Sequence, residues 1–245
     1  MGVYYNTHDS DALAYFSRIE AAGSSINRTN RAAVIAFIRG CKADGIWSAI
    51  KASCLLAGPD TLAGALVPLV GAAPTNVGPF VDADYDRLSG LTSDSDTKYL
   101  KTNRFGNTDP LNNQSFSVYH PSIIGPYNQT IGAGRAIDAS SIASSYSYSQ
   151  SNNIDLGWTT SIGLRGINRS SSENYQRRSG GVTGVVTRTS KGRTTNEFFV
   201  FASSNGTAVN NSVTTRTPIS FYHIGEALDL ALLDARVSTY MSSLT

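Results

Sequence analysis

Carboxylates suited to acid-base chemistry are scarce in this sequence: glutamate occurs four times in 245 residues, at Glu20, Glu173, Glu197 and Glu226. Cleaving a glycosidic bond takes two carboxyl groups held together, one to give a proton and one to attack or to activate water. The strand pattern Glu-x-Asp-x-x-Glu that would supply them is absent, and Glu197 stands alone on its predicted strand. The expectation is therefore of a protein that is not an enzyme, with no catalytic residue. Cysteine is nearly missing too. Cys41 and Cys54, thirteen positions apart, form neither a disulfide framework nor a metal-ligand spacing and read as buried thiols in a reducing cytosol. His8, His120 and His223 are far apart, so no metal and no cofactor are expected. Gly-x-Ser-x-Gly, phosphate-cradling glycine loops and Cys-His pairs do not occur.

Charge is thin as well, at 16% of residues with a formal net of +2. Ser, Thr, Asn and Gly take its place, giving a hydrogen-bonding, weakly ionic surface that suits proteins or sugars better than a polyanion. The longest apolar run, Leu62 to Ala73, is short and contains Pro68, so membrane insertion is not expected. Met1 to Asn6 lacks the apolar core of a signal peptide, and Asn6 breaks the myristoylation pattern. Six Asn-x-Ser/Thr triplets then reflect composition more than glycosylation.

What the chain has is pattern. Glu197–Ala202 and Pro218–Ile224 are dense in aromatic and β-branched residues around the turn pair Asn205-Gly206, and predict a late hairpin. Beyond Gly225 the apolar period changes from two to about 3.6, with Ala227, Leu230, Ala231, Asp234, Val237 and Met241 on nearby faces, predicting a terminal amphipathic helix. At the other end three short helices are predicted: one capped by Asp9 or Ser10, one over Arg31 to Arg39 ended by Gly40, and one capped by Asp44 with Trp47, Ile50, Lys51 and Cys54 as its stripe. Their apolar faces must pack on each other, on later sheets or on a neighbouring copy. Residues 1–58 thus read as a helical attachment or oligomerisation region and 59–79, punctuated by Pro59, Pro68 and Pro74, as a docked connector. From 80 to 245 strand follows strand up to the terminal helix: Lys98–Thr102, Ser115–His120, Asn128–Ala133, Ser144–Tyr148, Leu156–Leu164 and Gly181–Thr189, then the late pair. Many short strands with Gly, Asn and Ser turns indicate a mainly β sandwich or barrel.

Several groups of residues invite a functional reading beside a plain one. Asp82, Asp84 and Asp86 alternate, with Asp94 and Asp96 close behind; in a strand the first three would share a face and need solvent or a cation such as calcium. Solvated loop carboxylates are the plain reading. Arg165, Arg169, Arg177, Arg178, Arg188, Lys191 and Arg193 face one acid, Glu173. Nucleic acid or an anionic polysaccharide would suit that excess, but interleaved aromatics are almost missing, so a solvated rim or an acidic subunit contact is expected and nucleic acid is not. Tyr146, Tyr148 and Trp158 could offer flat faces to sugar rings or could pack inside. With Arg177 and Arg178 they are the candidate binding residues. Loops 103–115, 122–135 and 169–180 are where receptor contact is expected.

Certain stretches also carry a family resemblance. They are Gly45-Ile46-Trp47-Ser48-Ala49-Ile50-Lys51 with Cys54-Leu55-Leu56-Ala57-Gly58, and Ala65-Leu66-Val67-Pro68-Leu69 leading to Ala73-Pro74-Thr75-Asn76. Further on come Asp84-Tyr85-Asp86-Arg87-Leu88-Ser89-Gly90-Leu91 with Thr97-Lys98-Tyr99-Leu100 and Thr102-Asn103-Arg104. The last are Glu197-Phe198-Phe199-Val200-Phe201 with Asn205-Gly206-Thr207, and Phe221-Tyr222-His223-Ile224-Gly225-Glu226-Ala227-Leu228. Together the chain resembles a bacteriophage virion protein family, frequent in phages of cyanobacteria. The resemblance implies a concanavalin A-like (laminin-G-like) antiparallel jelly-roll β-sandwich with N-terminal helices and a C-terminal amphipathic helix. It also implies a non-enzymatic virion component, made in the host cytoplasm and placed in the tail as a fibre, baseplate or tip protein for host attachment. Its partners would be other phage structural proteins, copies of itself as a homotrimer or other homo-oligomer, and a host surface glycan. A capsid decoration protein, or a lectin-like or glycan-acting module, is the alternative. The sequence departs from the family at Thr92-Ser93-Asp94-Ser95-Asp96, where a glycine-containing turn would stand.

Overall fold

The computed structural model describes residues 9–94, 96–123, 129–134, 139–143, 147–151, 161–205, 208–209 and 216–245. Asp9 caps helix α1 (Ser10–Ala21) by accepting from the amides of Asp11 and Ala12, and Asn27 caps α2 (Arg28–Ala43) through the amide of Asn30. A 3-10 turn, Trp47–Ala49, leads into β1 (Ile50–Leu55). Next come the single helical turn α3 (Leu62–Ala65), β2 (Pro68–Val70) and β3 (Thr75–Val77). A second 3-10 turn, Asp82–Asp84, precedes β4 (Tyr85–Asp86), β5 (Gly90–Leu91), β6 (Tyr99–Phe105) and β7 (Gln114–His120). The middle of the chain supplies β8 (Gln129–Ala133), β9 (Ser140–Ala143), β10 (Ser147–Ser149), β11 (Gly163–Arg169), β12 (Asn174–Ser179) and β13 (Val182–Thr187). The last elements are β14 (Glu197–Val200), β15 (Ser204–Asn205), β16 (Ala208–Val209), β17 (Phe221–Gly225) and α4 (Leu230–Ser242), which Asp229 caps.

Two large sheets result, a mainly β sandwich with helices at both ends of the chain, as the expected fold class has it. Sheet A runs β13-β12-β11-β7-β17-β1-β2 and sheet B runs β10-β9-β8-β14-β6-β3. Every pairing along both orders is antiparallel; β15 meets β8 in parallel at Ser204 and Ala133. Phe116, Val118, Ile167, Tyr222 and Ile224 of sheet A meet Leu100, Ile131, Ile142 and Phe198 of sheet B in one buried cluster. The Phe116 and Phe198 rings lie 5.1 Å apart, centroid to centroid.

The other face of sheet A carries the helices. Ile50, Leu55, Leu164 and Phe221 are buried there with Phe16, Phe37, Leu233 and Tyr240. So the apolar stripes of α1 and α2 face this chain's own sheet and each other. The bidentate pair between Arg236 and Asp44, at 2.7 and 2.8 Å, and the bond from Tyr240 Oη to the Ala57 carbonyl tie α4 to the amino-terminal half. Gly40, expected to end α2, sits inside it because the Arg236 side chain crosses where a Cβ would stand.

Three sequence expectations are corrected. The third helix is absent: Ile50 to Leu55 is a strand paired on both sides, so Cys54 lies in a sheet. A strand buried on both faces has no polar side to alternate, and its residues can mimic a helical stripe. Glu197–Ala202 and Pro218–Ile224 do not pair as a hairpin, since β14 belongs to sheet B and β17 to sheet A. Finally, 174–179, expected as loop, is strand β12, turned into β13 by Gly180 and Gly181, both at positive φ.

Candidate functional site

Asp11, Ala14 and Arg18 recur at helical spacing along one side of α1, opposite Trp47 of the 3-10 turn and Leu69 to Gly71 at the end of β2. Between them lies an open cavity of about 260 Å3. Each polar wall is fixed. Trp47 Nε1 donates to Asp11 Oδ2 at 3.1 Å, and Arg18 Nη2 donates to the carbonyls of Pro68 and Leu69, both at 3.2 Å. Lys42 Nζ lies 2.6 Å from Asp11, 2.8 Å from Asp9 and 5.8 Å from the centre of the Trp47 ring. Burial lowers the Lys42 pKa, but the bonds that its ammonium donates to Asp11 and Asp9 outweigh that and raise it. Burial likewise pushes the Asp9 carboxyl up, and Lys42 with the Ala12 and Asp11 amides holds it below its ordinary range. A flat indole beside an anchored guanidinium and a carboxylate can stack on a ring and hydrogen-bond its hydroxyls. Sequence reasoning placed Trp47 in a helix and missed this cavity; the i, i+3, i+7 set of Asp11, Ala14 and Arg18 was the available signal.

The expected binding residues do not converge. Tyr146 and Trp158 lie outside the described residues. Tyr148 is half-buried on β10 opposite Ser141. Arg177 and Arg178 are strand neighbours and so point to opposite faces of sheet A. Arg178 Nε bonds Asp234 on α4 at 2.7 Å, while Arg177 lies over Gly184 of β13. Of the three loops proposed for receptor contact, 122–135 is only partly described and the end of 169–180 is the strand β12.

The basic stretch is not a solvated rim throughout. Arg165 and Arg169 are fully buried, inside the sandwich with Ile167 between them. Arg165 Nη2 donates to the Ala143 carbonyl at 3.0 Å. Arg169 donates to the carbonyls of Ser149, Ser171, Asn174 and Arg188, with its guanidinium carbon 5.2 Å from the Tyr175 ring centre. Such a cation is a cross-brace between backbones.

Nor do the aspartates converge. Asp82 to Asp84 is a 3-10 turn, so the three acids do not share a strand face. Asp84 Oδ2 accepts from Lys98 Nζ at 2.6 Å, and Asp86 accepts from the amides of Leu88 and Ser89. Asp94 Oδ1 accepts from the amides of Asp96, Thr97 and Lys98, doing by hydrogen bonding what a turn glycine would do by conformation. Burial raises the Asp94 carboxyl, but Thr97 and those amides leave it far below its ordinary range. Among the described residues no group of three His, Cys, Asp or Glu side chains could hold a metal ion. Glu197 Oε1 accepts from the Asn103 amide at 2.6 Å.

His223 is the satisfied structural histidine expected. It is fully buried, with Nδ1 2.7 Å from Ser117 Oγ and Nε2 2.9 Å from Ser115 Oγ. Burial, and then the charge of Arg104, bring its pKa down to about 3. Cys41 and Cys54 are buried free thiols, each pushed up to about 12 by burial.

No family model matches the chain, and no curated protein matches it. Among solved structures it is similar to a mutant of Trypanosoma rangeli sialidase displaying trans-sialidase activity, with a TM-score of 0.45 and 8% identity over 96% of this chain and 39% of that one. The chain thus spans well under half the length of that structure. That structure is an enzyme's, which goes against the expectation that the chain is not an enzyme, and the expectation is withdrawn.

Proposed function

We propose that the chain is a component of a phage particle, a tail fibre, baseplate or tip protein that contacts the host surface. The observation that carries this reading is the agreement between the resembling stretches and the fold. The family implies an antiparallel sandwich flanked by helices, and the stretches that carry the resemblance fall on strands of both sheets, β1, β2 and β17 in sheet A and β6 and β14 in sheet B, and on the separate β4-β5 pair. A body braced in this way can hold exposed loops rigidly against a surface. Its partners are other structural proteins of the particle and copies of itself, trimeric or otherwise. No helix among the described residues is long and apolar enough to cross a membrane.

The test is location. Peptides of the chain are expected in purified particles, with its density in a particle reconstruction at the tail. Absence from washed particles sinks the reading, and density on the capsid exterior makes the chain a decoration protein instead.

A second reading, a module acting on or binding host-envelope glycans, is favoured by the cavity beside Trp47. Host polysaccharide should then quench tryptophan fluorescence in the wild type and not in Trp47→Phe with Arg18→Ala. Release of reducing ends would add hydrolysis. Neither signal with the host's own polysaccharide removes this reading.

A further inference from the structure

Sheet edges carry unpaired N–H and C=O groups, and folded proteins blunt them with charge, proline, bulges or brevity. Among the described residues, three of the four ends of the two main strand orders are blunted. β2 has three residues, opens on Pro68, and has its carbonyls at Pro68 and Leu69 taken by Arg18. β3 has three residues between Pro74 and Gly78, and Asn103 Nδ2 donates to the Ala73 carbonyl beside it at 2.7 Å. β10 has three residues, Ser147 and Ser149 among the buried.

β13 has none of these defences. It runs six residues, Val-Thr-Gly-Val-Val-Thr, without charge or proline, and its register with β12 is unbroken from Asn174↔Thr187 to Ser179↔Val182. Among the described residues nothing pairs with its outer side. Val182 is 71% exposed and Val185 67%. Adjacent strand residues alternate faces, so Thr183, Val185 and Thr187 share one face of the sheet.

We propose that β13 pairs antiparallel with β13 of a second copy of this chain, about a two-fold axis at Val185, so that sheet A continues into its mate's. A two-fold interface must be self-complementary, and the row Thr183, Val185, Thr187 reads the same in both directions. The axis at Val185 sets Val185 against itself and Thr183 against Thr187 of the mate. On the opposite face Gly184, whose Cβ position is crowded by nothing nearer than Arg177 Nε at 3.7 Å, receives Val186, and Val182 meets Arg188. No two like charges are opposed. Arg178, the cation next in from the edge on the Val185 face, is already paired with Asp234. This goes beyond a place in the particle, because it fixes the contact and its symmetry. A single strand pair buries less than the roughly 1,600 Å2 of a standard interface, so the association belongs with the weak, transient ones.

The experiment is sedimentation of the purified full chain from about 1 to 100 μM, with two variants. The wild type is expected to pass from monomer to dimer. Val185→Lys opposes two ammonium groups at the axis and should weaken the dimer at least about tenfold while leaving the melting temperature of the monomer unchanged, since Val185 is exposed there. Val185→Cys should cross-link to itself under mild oxidation, Cys41 and Cys54 being buried. A monomer throughout, a trimer, or a dimer indifferent to Val185→Lys with no cross-link overturns the proposal. None of these outcomes bears on whether the chain belongs to a phage particle, which location alone decides.

Discussion

Mild acid should destabilise this protein through two imidazoles. His223 is sealed between Ser115 and Ser117 under the helical layer, and His120 is fully buried with Nδ1 3.0 Å from the Pro218 carbonyl. Burial and a nearby guanidinium, Arg104 for His223 and Arg165 for His120, depress each to about 3 from an ordinary 6.5. The unfolded chain therefore binds protons that the folded chain refuses, and stability falls as pH drops below about 6.5. At pH 5 each histidine should cost about 2 kcal/mol, and the pair about 4 kcal/mol, a large share of an ordinary domain's stability. The carboxylates lowered in the fold, Asp9, Asp86 and Asp94 among them, act in another window: their contribution is lost only as pH falls below their unfolded values near 4. Urea unfolding at pH 7.5, 6.5, 5.8 and 5.0 reads the effect directly, and His223→Gln should remove about half of the slope between pH 6.5 and 5. A free energy of unfolding that stays flat to pH 5, or a slope unchanged in both His223→Gln and His120→Gln, would refute the reasoning.

Packing supplies the remaining predictions. Phe198→Ala removes a ring at the centre of the sandwich, packed at a tilt against Phe116 with centroids 5.1 Å apart, and should cost about 3–5 kcal/mol in chemical denaturation. Gly166→Val should cost about 1–3 kcal/mol, because even a Cβ there meets Leu230 Cδ2 at 2.8 Å and Ser117 Cβ at 3.0 Å where α4 rests on β11. A thermal melt unchanged by it would mean α4 is not seated there. Arg178→Ala leaves Asp234, on a buried face of α4, without its 2.7 Å partner, and should lower the unfolding free energy by about 1–3 kcal/mol. The loss should shrink in Asp234→Asn, as a double-mutant cycle would report.

Strands with one wet side, such as β6, or with a dense aromatic run, such as β14 and β17, were legible in sequence, and so was β8 although it is buried throughout. β6, β7, β8, β13, β14 and β17 fall on predicted stretches, and α1 and α4 on predicted caps and stripes. β1 was not legible because Ala52 and Cys54 face sheet B while Leu55 faces the helices, so its neighbours supply the order that its own residues lack. β12 was not legible for the opposite reason. Asn174-Tyr175-Gln176-Arg177-Arg178-Ser179 has almost no strand preference of its own, and its place is set by β11 on one side and the Gly180-Gly181 turn on the other. The cavity escaped because it joins Asp11 and Arg18 to Trp47 and Gly71 from three separate elements.

The same difficulty governs the hydroxyl-rich composition, which suggests a hydrogen-bonding surface but serves the interior as well. Ser115, Ser117, Ser140, Ser147, Ser149, Ser204 and Ser220 are all buried. Ser115 and Ser117 hold His223, Ser140 Oγ donates to Gln114 Oε1, Ser147 meets the Tyr175 hydroxyl, and Ser149 accepts from Arg169. Ser204 and Ser220 donate to the carbonyls of Glu197 and Ser89. Except for Ser204 and Glu197, seven residues apart, each bond joins residues distant in the chain, so no local alternation separates a wet serine from a buried one. Beside them Arg165, Arg169 and His120 fill space between the sheets that aromatic rings fill near Phe116 and Phe198. A buried donor without an acceptor costs free energy, so most of them have one in place. The sandwich interior is therefore specified pair by pair across strands, and it is this matching, more than apolar burial alone, that fixes how the strands at the β9-β10-β11 end face one another.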